Sequence, residues 1–355
     1  MLEGPFFTTS TAVLVLVVLA SLVGIITYRW NFPYTVALLL VGVALGHSSL
    51  EQMLPFSPQL ILVVFLPGLL FEAALHLRSD HLRRLWGLVV LLAGPGVLIT
   101  MGIVAGIGHW LFDLPVASAV MLGAMVAPTD PIAVVGIFRR LGVPPLLSTV
   151  IEGESLLNDG AGLVAYSLAL AVALGTAPDV AHVTALFLWT AGGGLILGAG
   201  TGFVASRFVV HVDDHLIEVT ISVALAYGTY LMAAPLRVSG VLAVIAAGLV
   251  FGTYGRAIGL SQRTQEALDA VWEYVAFLLN SVVFLLLGSA LRLSDLVAML
   301  PLVLGGVLAS VIGRAVAVYG LSLLPVLVRR RPLPLGWRHM IFWSGLRGAL
   351  SLALA

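Results

Sequence analysis

The sequence holds no cysteine and no lysine, and charged residues of either sign make up only 10% of its 355 positions. Without cysteine, neither a disulfide framework nor a thiolate metal site can form. With so few charges, 60% hydrophobic residues and a mean hydropathy of +1.12, the chain cannot coat a water-soluble surface, so its expected solvent is lipid. A net charge of zero argues against a nucleic-acid partner. A GxSxG elbow, a Walker loop and an HExxH helix are all missing, so neither hydrolysis nor nucleotide use is expected. The chain reads as a non-enzyme without a cofactor. Met1 to Ser10 carry Glu3 and no basic residue, which is not the start of a cleavable signal peptide, and insertion is expected through the first helix itself.

What is present is a succession of apolar runs. A membrane helix needs about 20 mostly apolar residues, and roughly twelve stretches qualify by that standard: 12–28, 33–46, 59–76, 86–111, 116–139, 147–174, 182–207, 215–235, 239–254, 263–290, 296–326 and 339–355. No linker or low-complexity run interrupts them, so residues 1–355 are expected to form one all-α polytopic membrane domain. Arginine sets its orientation. Loops following odd-numbered stretches hold Arg29, Arg78, Arg83, Arg84, Arg139, Arg140, Arg207, Arg256, Arg263, Arg329, Arg330, Arg331 and Arg338, against Arg237 and Arg292 on the other side. The positive-inside rule makes the arginine-rich side cytoplasmic and places the N-terminus outside.

Arg314 and Arg347 remain, and both lie inside apolar stretches. Counting about 1.5 Å per residue from the helix ends sets them near mid-depth with Asp130 and Asp159, and Glu154 slightly nearer the cytoplasm. Ionisable groups at that depth cost at least about 2.5–3.5 kcal/mol on insertion scales and face a bundle interior or an aqueous cavity. In Ala127-Pro128-Thr129-Asp130-Pro131 two prolines remove amide donors, so the fifth helix is expected to break there, with Pro131 opening a new half-helix. A proline kink alone would be unremarkable in a membrane, but an aspartate inside it points to a cavity. In Glu152-Gly153-Glu154-Ser155-Leu156-Leu157-Asn158-Asp159-Gly160, Ser155 and Asp159 share one helical face and Glu154 and Asn158 the adjacent stripe. Carboxylate, hydroxyl, amide and freed carbonyl oxygens suit a hard monovalent cation.

Arg314 is the expected partner of Glu154, which would leave Asp159 free to exchange a proton for a cation. Glu152 reads as a solvated entrance carboxylate. Arg347, between Gly345 and Gly348, marks a second expected interruption. Asp269, Glu273 and Glu72 read as solvated or helix-pairing groups. His211 and His215 have metal-ligand spacing but no third ligand beside them.

Thr129-Asp130-Pro131, Glu154-Ser155-Leu156-Leu157-Asn158-Asp159 and Gly345-Leu346-Arg347-Gly348-Ala349 resemble, in order, the signature segments of electroneutral sodium/proton antiporters of the NhaP and NHE type. The resemblance implies an inverted-repeat fold in which two interrupted helices, at Asp130 and near Arg347, cross within a core of about 116–174 and 296–355. It further implies a homodimer in a bacterial or archaeal cell membrane. The implied cation ligands are the Thr129 backbone, Asp130, Ser155 and Asp159, with sodium held between Asp130 and Asp159. Asn158 and the Glu154–Arg314 pair would support them. The single Asn158-Asp159 pair and the absence of lysine imply one-for-one exchange. A passive channel or a symporter on a similar core is the alternative. Because relatives continue past the interrupted twelfth helix, the C-terminal repeat is expected to be incomplete at Ala355.

Overall fold

A computed structural model describes residues 5–30, 32–46, 60–131, 142–176, 179–324 and 333–345. Among these residues the structure is helical, without strands. Its helices are α1 (Pro5–Trp30), α2 (Tyr34–Gly46), α3 (Ile61–His76), α4 (Asp80–Phe112), α5 (Val116–Val126), α6 (Pro145–Ala173) and α7 (Ala181–Val209). They are followed by α8 (His215–Leu236), α9 (Gly240–Ile258), α10 (Gln262–Ala290), α11 (Leu300–Leu321) and α12 (Leu335–Trp343), with a short turn of helix at Leu293–Ala298. Seven of them, α4, α6 to α11, are long and apolar enough to cross a membrane. Leu14, Ile25, Ile196, Leu216, Leu231, Leu304 and Leu308 point outward, as lipid-facing side chains must. The protein is an integral membrane protein.

Local chemistry fixes the helix ends. Asp214 accepts from the backbone N–H groups of Leu216 and Ile217 at the start of α8, and these two bonds hold its carboxyl below the usual carboxylate range. Ser239 and Ser261 cap α9 and α10 in the same way. Asp113 and Arg237 take left-handed conformations (φ 52° and 53°) that terminate α4 and α8. Inside α4, Pro95 lies in a single π-helical turn, Leu92–Gly96, which absorbs the donor that proline cannot supply.

Helices pack through small residues, because lipid gives apolar faces no reason to prefer each other and close backbone approach must do so instead. Gly194, Gly198 and Gly202 of α7 lie against Ser239, Ala243 and Ala247 of α9; a Cβ at Gly198 would sit 1.9 Å from the Ala243 carbonyl oxygen. Gly42 and Gly46 of α2 meet the backbone of Leu285 and Ser289 of α10 in the same manner. Two apolar cores result. One joins α1, α2, the start of α3 and α10 around Leu38, Val283 and Leu285, and the larger one joins α3, α4, α6, α8, α9 and α10 around Phe71, Leu88, Ile151, Ile245 and Trp272. The site lies where α5, α6, α11 and α12 meet.

Candidate functional site

The fifth helix does break where the prolines require. α5 ends at Val126, and residues 127–131 are not helical. The expected continuation as a new half-helix falls outside the described residues. α6 runs unbroken beside the break and presents Glu154, Ser155, Asn158 and Asp159 over one and a half turns.

Asn158, fully buried, clamps the break to α6. Its Oδ1 accepts from the Thr129 backbone N–H at 3.3 Å, and its Nδ2 donates to Thr129 Oγ1 at 2.7 Å and to Glu154 Oε1 at 3.1 Å. The Ser155 hydroxyl donates to the Thr129 carbonyl. Thus the N–H and the C=O of Thr129, which the helix break would otherwise strand in lipid, both find partners on α6. The family resemblance implied a supporting part for Asn158 but could not show that it holds both the backbone and the side chain of Thr129. Asp130 and Asp159 are both half-buried, and the Asp159 carboxyl lies within electrostatic reach of Asp130 and of Glu154.

Close approach at the break depends on a missing side chain. A Cβ on Gly162 would lie 2.2 Å from Cγ of Pro128, a rigid ring that cannot swing aside. Gly162→Ala is therefore expected to push the break off α6, costing about 1–3 kcal/mol of stability as overpacking and lowering any transport rate. Thermal unfolding in detergent measures the first effect. Gly200→Ala on α7, whose Cβ would meet nothing within 4 Å, is the neutral control.

Glu154 and Arg314 are paired through two hydrogen bonds, Nη1 to Oε1 at 2.5 Å and Nη2 to Oε2 at 2.8 Å, with Glu154 1% and Arg314 6% exposed. Nη2 also donates to the Ile341 carbonyl at 2.9 Å, near the end of α12. α12 stops at Trp343, and Gly345 beyond it packs so closely that a Cβ there would lie 2.6 Å from Arg314 Nε. One guanidinium thus neutralises Glu154 of α6 and binds a carbonyl at the negative end of a terminating helix. The Ile341 carbonyl carries no sequence signal, since every residue has one. Arg347 and the residues after it fall outside the described residues.

Away from this site, Asp269 of α10 takes both Nη groups of Arg256, from the end of α9, and faces His76 Nε2 at 3.0 Å, while His76 Nδ1 faces Glu72 at 3.1 Å. Of the solvated or helix-pairing roles expected, Asp269 takes the second by joining α10 to α3 and α9, whereas Glu72 pairs within α3, one turn from His76. No cluster of three metal-ligating side chains occurs among the described residues, around His211 and His215 or elsewhere. Glu218, buried in the first turn of α8, was not singled out from the sequence because a single acid near a helix start reads as a solvated one.

Fold and site define an integral membrane protein built around a polar helix break that is clamped by buried amide, hydroxyl, carboxylate and guanidinium groups. The chain belongs to the sodium/hydrogen exchanger transmembrane family, whose profile matches residues 14–355. It is 38% identical over 340 residues to the Na+/H+ antiporter ApNhaP of Aphanothece halophytica, covering 95% of this chain and 64% of that protein. To the low-affinity Na+/H+ antiporter NhaS1 of Synechocystis it is 37% identical over 331 residues, covering 92% and 62%. To the Na+/H+ antiporter NhaP of Pseudomonas aeruginosa it is 34% identical, covering 96% and 86%. The chain therefore spans less than two thirds of the length of the Aphanothece and Synechocystis relatives. The structure of the sodium proton antiporter MjNhaP1 from Methanocaldococcus jannaschii at pH 8 matches it with a TM-score of 0.79 at 23% identity, covering 98% of this chain and 87% of that one, which establishes the antiporter fold.

Proposed function

We propose that the protein exchanges sodium, or another monovalent cation, for protons across a cell membrane by competition at Asp159. The observation that carries this reading is the division of labour on α6. Glu154 is consumed by Arg314 and Asn158 by Thr129, so among the α6 acids at the break Asp159 is left half-buried, beside Asp130. In this reading the Thr129 carbonyl, Asp130, Ser155 and Asp159 supply oxygen ligands to the cation, Asn158, Glu154 and Arg314 hold them in place, and Arg347 balances the charge of the second interruption. A carboxylate that binds a proton gives up its charge and with it most of its attraction for a cation, so either ion displaces the other. The Thr129 carbonyl and Ser155 hydroxyl retain free lone pairs despite their mutual hydrogen bond.

Movement of the core helices against the remainder would expose the site to each side in turn, with the arginine-rich side cytoplasmic and the N-terminus outside. The relatives named as antiporters support the exchange, and no cofactor is required for it. We further assign a homodimer in a bacterial or archaeal cell membrane and a one-for-one stoichiometry, from one titrating carboxylate in the Asn158-Asp159 pair. The test is reconstitution with a pH-sensitive dye inside the vesicles and a series of alkali cations outside. Sodium is expected to dissipate the pH gradient at a rate that clamping the membrane potential leaves unchanged; a rate that follows the potential overturns the one-for-one stoichiometry, and conductance without proton movement overturns exchange.

A further inference from the structure

We propose that the amino-terminal stub of α4 is a docking surface for the phosphate headgroup of an anionic phospholipid. The inference goes beyond ion exchange and rests only on the chain's placement in a bilayer. Arg78, Arg83 and Arg84 are all exposed and make no ion pair with any described residue; the one acid of the stub, Asp80, is exposed as well. Leu85 departs from helical geometry (φ −125°, ψ 21°), so the stub bends away from the membrane-crossing part of α4. On the membrane side of that bend, Trp86 and Val90, one turn apart, are 46% and 41% exposed. Indole rings settle at headgroup level, so the guanidinium groups of the preceding turn fall at the depth of lipid phosphates. Arginine's planar, weakly hydrated fork binds phosphate oxygens in pairs, and basic segments next to a membrane are drawn to anionic lipid.

The opposite face of the stub is what gives such a lipid a consequence. Leu82 of the stub, Leu85 at the bend, and Leu88 and Val89 just beyond it are buried there. Leu82 Cδ1 and Val89 Cγ1 lie 3.2 Å and 3.5 Å from where a Cβ would stand on Gly153, the residue before Glu154. His81 Nδ1 approaches Thr149 Oγ1 of α6 at 3.4 Å. A headgroup seated on the arginines therefore fastens the stub against the helix that carries the site.

The experiment uses the full chain, purified and stripped of lipid in detergent, with phosphatidylglycerol, phosphatidylcholine or inorganic phosphate added in turn. Phosphatidylglycerol is expected to raise the unfolding temperature, and the other two to leave it unchanged. Bound phosphatidylglycerol counted by native mass spectrometry is expected to weaken about fivefold in affinity for each arginine replaced in Arg83→Gln and Arg84→Gln. The double variant should unfold at the wild-type temperature in phosphatidylcholine; if it does not fold, the two single variants carry the test. Equal stabilisation by phosphatidylcholine, equal stabilisation by inorganic phosphate, or variants that retain as much phosphatidylglycerol as the wild type would each overturn the proposal. The last result would mean that these arginines serve only to orient the chain during insertion. Because none of these readouts measures exchange, failure of the transport reading would leave the result standing.

Discussion

Asp159→Asn is expected to reduce sodium-dependent dissipation of a pH gradient to the level of empty vesicles while leaving the fold intact. The substitution keeps the size of the side chain and a carbonyl oxygen but removes the α6 carboxylate proposed to alternate between a proton and a cation. Glu154 cannot take over, because both of its oxygens are bound to Arg314 and one of them also to Asn158. Asp130 remains, but on the broken segment rather than on α6. Retained exchange at the wild-type rate, in protein with an unchanged unfolding temperature, would remove Asp159 from the mechanism.

A second large effect is expected from breaking the buried ion pair on one side only. Arg314→Met leaves the buried Glu154 carboxylate with Asn158 as its hydrogen-bond donor and takes one of two side-chain donors from the Ile341 carbonyl, and a loss of about 3–5 kcal/mol is expected for a buried charge stripped of its partner. The double variant Glu154→Leu with Arg314→Met removes both charges and should recover much of that loss, though not all, since the Ile341 carbonyl keeps only the Ser344 hydroxyl as donor and the link from α11 to α12 is lost. Reversible unfolding of the three proteins provides the comparison. Were the double variant as unstable as Arg314→Met alone, the damage would come from lost packing and lost α12 contacts, and the charge pairing would be incidental to stability.

Both expectations begin from features visible along the chain. Pro128 and Pro131 between them remove two amide donors on either side of Asp130, more than the single π turn that absorbs Pro95 inside α4 can make good, and α5 stops two residues before Pro128. Apolar run lengths set the helices within a few residues, because crossing hydrocarbon demands internally paired backbone of a fixed length. An arginine inside such a run must find an acid, and Glu154 is one of three acids, with Asp130 and Asp159, that the count of residues brings near its depth. The resemblance of three segments to sodium/proton antiporters then pointed to the family that the profile match establishes.

What remained hidden was decided by contacts between residues far apart in sequence. The use of Asn158 as a clamp depends on the exposed peptide of Thr129 arriving beside it, and the use of Gly162 depends on the Pro128 ring arriving above it. Arg314 reaches a carbonyl of α12 that differs from all other carbonyls only in its location. His76, Arg256 and Asp269 join three helices across as many as 193 positions. The sequence by itself determined that this chain enters lipid repeatedly, where one of its helices breaks and which charges need burying, since those follow from the solvation of single residues and single helices. Only the tertiary structure decided which oxygen accepts from which donor at the break, because that depends on how glycines let helices approach to within a bond length or two of contact, and no local property of the chain encodes that distance.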